Sequence, residues 1–156
     1  YRQPLGLFHN NGNSQFTDAQ SALGDVSQKL LVGRGLAIGD LNNDGAVDVV
    51  VTDLEGAPVV LLNQATPGRH WLLVRLVGRR SPRDGQGAVL QAVAGGRKLT
   101  RLCTTGGSFA SASDSRIHFG LGANRTVERL EIRWPSGVKQ TLHDIVADQI
   151  LTVREP

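Results

Sequence analysis

The sequence predicts an all-β protein. Short runs in which every second residue is apolar recur about every ten residues along most of the chain. Turn-forming residues separate these runs, and glycine supplies 19 of the 156 residues, well above the roughly 7% of average proteins. Segments with helical periodicity are nearly absent. This pattern is typical of β-sandwiches and β-propellers.

The predicted strands follow one another along the whole chain. Before residue 67, four apolar runs predict strands: Leu5–Phe8, Leu36–Ile38, Val47–Thr52 and Val59–Leu62. Seven more runs follow: Trp71–Val77, Ala88–Val93, Leu99–Thr104, Ile117–Phe119, Leu130–Trp134, Val138–Leu142 and Ile150–Val153. The segment Asp18–Leu31 lacks this alternation, so we expect a helical turn or an irregular loop there.

One pair of runs predicts a hairpin. Leu130, Ile132 and Trp134 alternate with charged residues, so they lie on one face of a strand. The next residues, Pro135–Gly137, form a typical turn sequence, and a second alternating run begins at Val138. We therefore expect two antiparallel strands with one buried face.

The charge of the chain changes sign at Pro67–Gly68. Residues 1–66 carry seven acidic and three basic residues, whereas residues 67–156 carry seven acidic and fourteen basic residues. The total of +3 therefore hides an acidic front and a basic back. We predict two domains, 1–66 and 67–156.

Composition also excludes several classes of protein. The apolar runs fall far short of the roughly 20 residues of a transmembrane helix, so we expect no membrane span. The single cysteine, Cys103, rules out internal disulfides and zinc sites of the Cys type, and its strand-like surroundings predict a buried structural thiol. Too few aromatic residues accompany the arginines for a nucleic-acid platform.

Residues 40–48 read D-x-N-x-D-G-x-x-D, which is the spacing of a calcium-binding loop. Oxygen ligands at alternate positions converge on a hard cation when the loop curls, and Gly45 permits the sharp turn. The predicted Ca²⁺ ligands are the side chains of Asp40, Asn42, Asp44 and Asp48 and the carbonyl oxygen of Ala46.

Two other interpretations of this loop were weighed. An EF-hand needs a glutamate at the twelfth position and a helix on each side, whereas Val51 stands there and both flanks predict strands. The EF-hand is therefore excluded. An acidic β-turn, in which Asp and Asn side chains bond only to their own backbone, stays open.

The front half resembles an FG-GAP or VCBS repeat, the calcium-binding blade unit of integrin-α-like β-propellers. The resemblance rests on Gly33–Gly39, the loop 40–48 and the following Val49–Thr52. Leu7–Gly12 and Gln15–Asp18 are similar to the strand and turn that precede such a loop.

The back half resembles the ASPIC/UnbV domain that ends the cartilage-acidic-protein-1-like proteins. The segments that carry this resemblance are His70–Leu72, Gly87–Val89, Gly106–Phe109, His118–Gly122, Trp134–Gly137 and Leu151–Val153. The family supplies no catalytic residues for this domain. The two resemblances together imply part of a propeller followed by a compact antiparallel, sandwich-like domain.

A propeller has about four to eight blades, and this chain supplies at most one and a half. We therefore expect an exposed sheet edge with unpaired backbone groups. Three ways of completing the sheet remain open: the rest of the propeller precedes this segment, a partner chain supplies it, or copies of the chain assemble with one another, for example into a fibre.

The predicted function is a calcium-stabilised binding, adhesion or assembly module that is secreted to the extracellular space or the periplasm. Calcium sites in extracellular modules need about 10⁻⁴–10⁻³ M calcium, which suits these compartments. The alternative is an accessory or catalytic subunit of a biosynthetic pathway for a natural product, because UnbV-like relatives occur with such pathways.

No motif in the sequence specifies catalysis, and we expect no catalytic residues. His118 is the histidine to watch, because Phe119–Gly122 places it beside turns and Asp114 lies four residues before it, but a packed strand histidine is the favoured interpretation. The basic loop Arg79–Arg83 has two open interpretations: a solvated surface, or a site for a polyanion, for which an acidic polysaccharide fits an extracellular protein better than DNA does. Asn124 begins a glycosylation sequon, which matters only in a eukaryotic host.

Overall fold

The computed structural model describes all residues from Tyr1 to Pro156, and it confirms the all-β prediction with twelve strands and one short 3₁₀ helix. The strands are β1 (Phe8–Gly12), β2 (Gln15–Asp18), β3 (Gly33–Gly39), β4 (Asp48–Asp53), β5 (Val59–Leu61), β6 (His70–Val77), β7 (Val89–Ala94), β8 (Arg97–Leu102), β9 (Ile117–Gly122), β10 (Thr126–Arg133), β11 (Lys139–Val146) and β12 (Gln149–Arg154). The 3₁₀ helix spans Gln20–Gln28, inside the segment that lacked alternation. Nothing helical in the structure has the length and apolar composition to cross a membrane.

The twelve strands form four sheets. A hairpin of β1 and β2 and a three-stranded sheet in the order β3-β4-β5 make up the front of the chain. The back contains a four-stranded sheet in the order β11-β10-β7-β8 and a three-stranded sheet in the order β12-β6-β9. No sheet closes into a barrel.

The two back sheets enclose the main hydrophobic core. It contains 18 buried residues, which come from both sheets and include Leu72 and Phe119 from one and Leu90 and Leu130 from the other. Side chains from two facing sheets that meet in one apolar layer define a sandwich-like arrangement. Cys103 belongs to this core and is 1% exposed, as the sequence predicts.

The hairpin around Pro135–Gly137 is confirmed. Strands β10 and β11 are antiparallel, with Arg133 opposite Lys139. Gly137 has φ of 90°, which the turn requires. Leu130, Ile132 and Trp134 are all buried, so the alternating pattern identified the correct face.

One pairing departs from the prediction of an antiparallel back domain. Strand β12 is parallel to β6, with Gln149 opposite Leu72 and Arg154 opposite Val77. The chain crosses from one sheet to the other after β11, and the amide of Asp148 donates to the carbonyl of Trp71 at 2.7 Å. A hairpin would make β12 antiparallel to β11. The chain instead crosses to the other sheet, where β12 is free to run parallel to β6.

The first strand also differs from its prediction. The alternation of Leu5–Phe8 suggested a strand, but β1 begins only at Phe8. Leu5 instead packs against a small front cluster formed by Leu31, Val51 and Val59. The apolar side chain is therefore explained by packing alone, without strand pairing.

The front half buries little of its apolar surface. Its cluster has three buried residues, compared with 18 in the back core. Eleven of the sixteen exposed large hydrophobic residues precede residue 67: Tyr1, Leu7, Phe8, Phe16, Leu30, Leu36, Ile38, Leu41, Leu54, Val60 and Leu62. The front sheet therefore presents apolar surface that this chain does not cover.

The expected exposed sheet edge is closed on one side. At the outer edge of β3, the amides of Leu36 and Ile38 donate to the hydroxyls of Ser108 and Ser113 at 3.0 and 3.1 Å. The amide of Asp114 donates to the carbonyl of Ile38 at 2.9 Å. A loop of the back half thus covers the β3 edge, and β5 is the other outer strand of that sheet.

Candidate metal centre

The predicted calcium loop connects β3 to β4. The two strands form a hairpin in which Gly39 pairs with Asp48. Asn43 and Gly45 both have left-handed backbone, with φ of 59° and 88°. The sharp turn that the glycine was expected to permit is therefore present.

Asp40, the first predicted ligand, is buried beneath the loop. Its side chain bends back so that one carboxylate oxygen accepts the amide of Asp44 at 3.1 Å and the other accepts the amide of Gly45 at 2.9 Å. The residue is 2% exposed. These bonds curl the chain around the Asp40 carboxylate.

Asp48, the last predicted ligand, is 1% exposed. Its carboxylate accepts the amide of Leu41 at 2.8 Å and that of Asn63 at 2.9 Å. It therefore joins the start of the loop to the chain that leaves β5.

Asn42 and Asp44 lie nearer the surface and bond within the loop. The amide oxygen of Asn42 accepts the backbone amide of Asp44 at 3.2 Å. One carboxylate oxygen of Asp44 accepts the amide of Ala46 at 2.8 Å, and the other accepts the side-chain amide of Asn42 at 2.9 Å. These are the bonds that the alternative interpretation as an acidic turn predicts.

The loop does not present a completed metal site. No group of three or more His, Cys, Asp or Glu side chains is arranged so that it could hold a metal ion. The donors are nevertheless all oxygen atoms, the type that Ca²⁺ prefers, and an oxygen that accepts one N–H keeps a second lone pair. The chemistry of the donor set therefore fits Ca²⁺.

The carboxylates of the loop form no salt bridge. The salt bridges of the protein include none of Asp40, Asp44 and Asp48. Two of these carboxylates are almost fully buried and are held by backbone amides only. Buried charges are usually paired with an opposite charge, bound to a metal or held by several hydrogen bonds, so this arrangement is compatible with a bound cation.

Arg116 of the back half is a cation that contacts the loop, but it forms no hydrogen bond with the loop carboxylates. Its guanidinium donates to the main-chain carbonyl of Asp40 at 2.7 Å and to the side-chain oxygen of Asn43 at 2.6 Å. Its Nε donates to Asp114 at 2.7 Å. This bond to Asp114 is the main reason that the pKa of Arg116 is raised above its ordinary value. Arg116 therefore fastens the loop to the back half.

Two more residues of the back half contact the loop at Gly45. The Nε2 atom of His118 lies 2.8 Å from the carbonyl of Gly45 and donates to it, because a carbonyl oxygen only accepts. The ring of Trp71 packs so closely that a Cβ at position 45 would lie 2.0 Å from its Nε1. Gly45 is thus required by its neighbour as well as by its φ.

His118, the histidine to watch in the sequence, therefore has a structural partner. Asp114 is engaged by Arg116, so the two do not form a dyad. The four histidines lie on four different strands: His9 on β1, His70 on β6, His118 on β9 and His143 on β11.

A second histidine forms a carboxylate pair that the sequence did not indicate. The Nδ1 atom of His70 lies 2.7 Å from Asp148, whose other oxygen accepts the amide of Trp71 at 3.2 Å. The bond to His70 is the main reason that the pKa of Asp148 is lowered. A cavity of about 410 Å³ between the loop and this pair is lined by residues that include Asp44, His70 and His118.

Sequence reasoning missed the residues with which the back half holds the loop. Arg116, Trp71, Ser108 and Ser113 are 26 or more positions away along the chain from the residues they contact. The glycines carried the only local signal: a Cβ at Gly39 would lie 2.9 Å from Asp114, and one at Gly35 would lie 2.3 Å from Ser111. These glycines mark the surface where the two halves approach each other.

The profile of the family described as "ASPIC and UnbV" matches residues 78–156. The chain belongs to this family. The matched residues include β7 to β12, so the ASPIC/UnbV resemblance of the back half is confirmed. The match contains Arg116, His118 and the serines that cover the β3 edge, whereas the predicted calcium loop, residues 40–48, lies outside it.

Curated relatives of this ASPIC and UnbV chain are similar over a short stretch. It is 39% identical over 66 residues to "Cartilage acidic protein 1" of Homo sapiens, and 40% identical over 68 residues to the protein of that name in Xenopus tropicalis. Each stretch covers 42% of this chain and 10% of the relative. The chain therefore spans about a tenth of the length of these relatives.

Proposed function

We propose that this chain is a calcium-stabilised extracellular module for binding or assembly, and that it forms part of a larger propeller protein. The observation that carries the calcium proposal is the burial of two loop carboxylates that form no salt bridge. The side chains of Asp40, Asn42, Asp44 and Asp48 and the carbonyl of Ala46 would hold the ion. Bound Ca²⁺ would supply the positive charge that the loop lacks.

Two further observations support the wider proposal. The front sheet has the predicted calcium loop as its hairpin connection, as an FG-GAP or VCBS blade does, and eleven of the sixteen exposed large hydrophobic residues lie in the front half. The relatives are named after cartilage, a tissue rich in extracellular matrix. Extracellular calcium matches the affinity of about 10⁻⁴–10⁻³ M that is usual for such modules.

The calcium proposal is tested with Asp44→Asn and Asp48→Asn. Melting temperatures are measured for the wild type and both variants in about 5 mM CaCl₂ and again after treatment with EDTA. This calcium concentration lies above the dissociation constant of about 10⁻⁴–10⁻³ M that is expected for such modules. Calcium should raise the melting temperature of the wild type, and the variants should lose most of this rise. Asp25→Asn, an exposed acid outside the loop, is the matched control and should keep it.

Terbium luminescence supplies an independent readout, because Trp71 packs on the loop and can sensitise a bound Tb³⁺ ion. Calcium should displace the terbium in the wild type and in Asp25→Asn. If calcium changes neither melting temperature nor luminescence, the loop is an acidic turn and the calcium proposal is wrong.

A second proposed partner is an acidic polysaccharide, bound by the loop between β6 and β7. Arg79, Arg80 and Arg83 are exposed there, and the backbone of the first two is fixed by hydrogen bonds to Glu155. A fixed backbone reduces the entropy lost on binding. The loop therefore presents three permanent positive charges on an ordered support, and of these Arg83 forms an exposed salt bridge with Asp84 at 3.2 Å.

Salt-dependent elution from heparin tests this partner. Replacing Arg79, Arg80 and Arg83 by glutamine should lower the salt concentration at which the protein elutes. A control with the same change of charge replaces Lys29, Arg34 and Arg125, three exposed bases in other parts of the chain. Equal losses in both variants would mean that net charge alone determines retention and that this loop is not the site.

A further inference from the structure

The loop after β6 contains an arrangement of donors that the proposed function does not use. Three consecutive backbone amides, those of Arg79, Arg80 and Ser81, point at one oxygen of Glu155 at 2.7, 2.8 and 2.8 Å. Successive amides that converge in this way form an anion-binding concavity, or nest.

Hydroxyl groups satisfy the other oxygen of Glu155. The Ser81 hydroxyl donates to it at 2.8 Å, and the Ser136 hydroxyl also donates to it. Glu155 is 1% exposed and takes part in no salt bridge. Five neutral donors therefore hold a full negative charge, although arginines stand at two of the same positions.

The nest has a rigid frame. Gly78 donates its amide to the carbonyl of Arg83 at 2.9 Å, and Gly85 donates to Pro82 at 2.8 Å, which closes the loop on itself. A Cβ at Gly78 would lie 2.3 Å from the carbonyl oxygen of Pro82, so this fold of the loop requires glycine. The loop holds its shape through contacts of its own.

The carboxylate also joins segments that are distant in sequence. The amide of Ser136, in the turn between β10 and β11, donates to the Ser81 hydroxyl at 3.1 Å. The amide of Glu155 donates to the carbonyl of Val77 at 2.9 Å. Glu155 therefore connects the loop after β6, the turn after β10 and the chain after β12.

We infer that residues 79–81, with the hydroxyls of Ser81 and Ser136, form a preformed carboxylate-binding site that the chain fills with its own Glu155. Removing this occupant leaves three amides and two hydroxyls without an acceptor, and such groups are costly to bury. A small carboxylate from solution restores the acceptor. The ligand class of the vacated site is thus a monocarboxylate such as acetate, flanked by Arg79, Arg80 and Arg83.

The titration of Glu155 agrees with this geometry. Burial alone would raise the pKa of the Glu155 carboxyl, but the hydrogen bonds from Ser136, Ser81, Arg79 and Arg80 outweigh it and hold the pKa well below its ordinary value. The site therefore favours the charged form of its occupant.

The test is chemical rescue of Glu155→Ala. This variant should melt several degrees below the wild type in sodium chloride, and the amides of Arg79–Ser81 should exchange with deuterium at least tenfold faster. Sodium acetate at the same ionic strength should recover most of both losses. The wild type and Glu131→Ala, which removes a partly exposed carboxylate elsewhere on the back domain, should show no difference between the two salts.

A second variant, Glu155→Gln, distinguishes the effect of an empty site from the effect of losing the negative charge. The glutamine fills the same volume, so this variant should be destabilised without rescue by acetate. If Glu155→Ala is recovered only unfolded, the refolding yield in acetate and in chloride replaces the melting temperature as the readout. Equal behaviour of Glu155→Ala in the two salts, or unchanged exchange of the three amides, overturns the proposal.

Discussion

Gly45 meets two independent demands, and these can be separated by mutation. Its φ of 88° disfavours any side chain, and a Cβ would also lie 2.0 Å from the Trp71 ring. Gly137 has nearly the same φ, 90°, with open space around it. It is therefore a matched control that carries the backbone penalty alone.

We predict that Gly45→Ala destabilises the protein by about 2 kcal/mol more than Gly137→Ala does, the range typical of overpacking. Urea denaturation of both variants measures the difference. Equal losses would mean that Trp71 moves aside without cost and that the loop is not held tightly by the back half.

Arg116 is the second residue on which the contact between the halves depends. Its guanidinium contacts Asp40, Asn43 and Asp114 with most of its surface buried. Hydrogen bonds that involve a charged group typically contribute about 1.5–3 kcal/mol. We predict that Arg116→Gln lowers the free energy of unfolding by about this amount.

Arg133→Gln is the control for this change, because Arg133 is exposed and its side chain forms no hydrogen bond within the protein. Its loss in the same denaturation experiment should be below about 0.5 kcal/mol, as for most surface substitutions. An Arg116→Gln variant as stable as Arg133→Gln would show that the guanidinium does not fasten the loop.

At the scale of strands, the sequence predicted what depends on neighbouring residues. Alternating apolar residues located the strand of Leu130 and Ile132 and its buried face, and Pro135–Gly137 located its turn. The parallel pairing of β12 was missed, because nothing in Gln149–Arg154 encodes which distant strand it meets. Which strand β12 pairs with depends on where the chain crosses from one sheet to the other.

In the candidate site, too, the sequence predicted the local contacts and missed those between distant residues. The nine-residue spacing predicted the hairpin loop and its curl around Asp40, which depend on local hydrogen bonds. Arg116 and Glu155 were missed because Asn43, which Arg116 contacts, and the amides of residues 79–81, which Glu155 accepts, lie 73 or more positions away along the chain. Single arginines and glutamates are common in sequences, so only the fold distinguishes these two from the others.

The serines at the edge of β3 act in place of a neighbouring strand. Without the hydroxyls of Ser108 and Ser113, the amides of Leu36 and Ile38 lose their acceptors. We predict that Ser108→Ala combined with Ser113→Ala accelerates hydrogen exchange at these two amides and costs about 1–3 kcal/mol, which is two ordinary hydrogen bonds.

Ser111→Ala is the matched control for the β3 edge. Its hydroxyl donates to Phe109 within the same loop and contacts no amide of β3. The exchange of Leu36 and Ile38 should stay at the wild-type rate in this variant. Unchanged exchange in the double variant would show that the edge is protected by something other than the serines.

For the whole molecule, the lowered pKa values predict sensitivity to acid. Glu155 and Asp148 both have folded-state pKa values below those of the unfolded chain. The unfolded state therefore binds more protons in the acid range, and the free energy of unfolding rises with pH there. The contribution is complete above the unfolded glutamate pKa of about 4.3 and is lost as the pH falls below it.

Urea denaturation between pH 7 and pH 3 measures this dependence. Glu155→Gln should flatten the curve below about pH 4.3, because the group with the larger shift has been removed. Asp148→Asn should flatten it less, since its carboxylate is half exposed. A Glu155→Gln curve parallel to that of the wild type would contradict the assignment of the acid loss to Glu155.

The uneven burial of the two halves leads to the last prediction. The back half has a complete core, whereas the front half exposes Val60 on the outer strand β5 and Leu62 directly after it, next to an apolar cavity of about 500 Å³. Further blades, a partner chain or copies of this chain can cover such a face. In a solution of this chain alone, only copies are present.

We therefore predict that the measured mass of the isolated chain rises with concentration in sedimentation equilibrium. The double variant Val60→Lys, Leu62→Lys should shift the protein towards the monomer, because lysines at the edge of a sheet oppose pairing with the edge strand of another molecule. Val146→Lys is the control: it changes an equally exposed apolar residue of the back half and should not alter the association. A chain that stays monomeric at every concentration would mean that its front face needs no cover, and it would contradict the view that the front sheet is an incomplete part of a propeller.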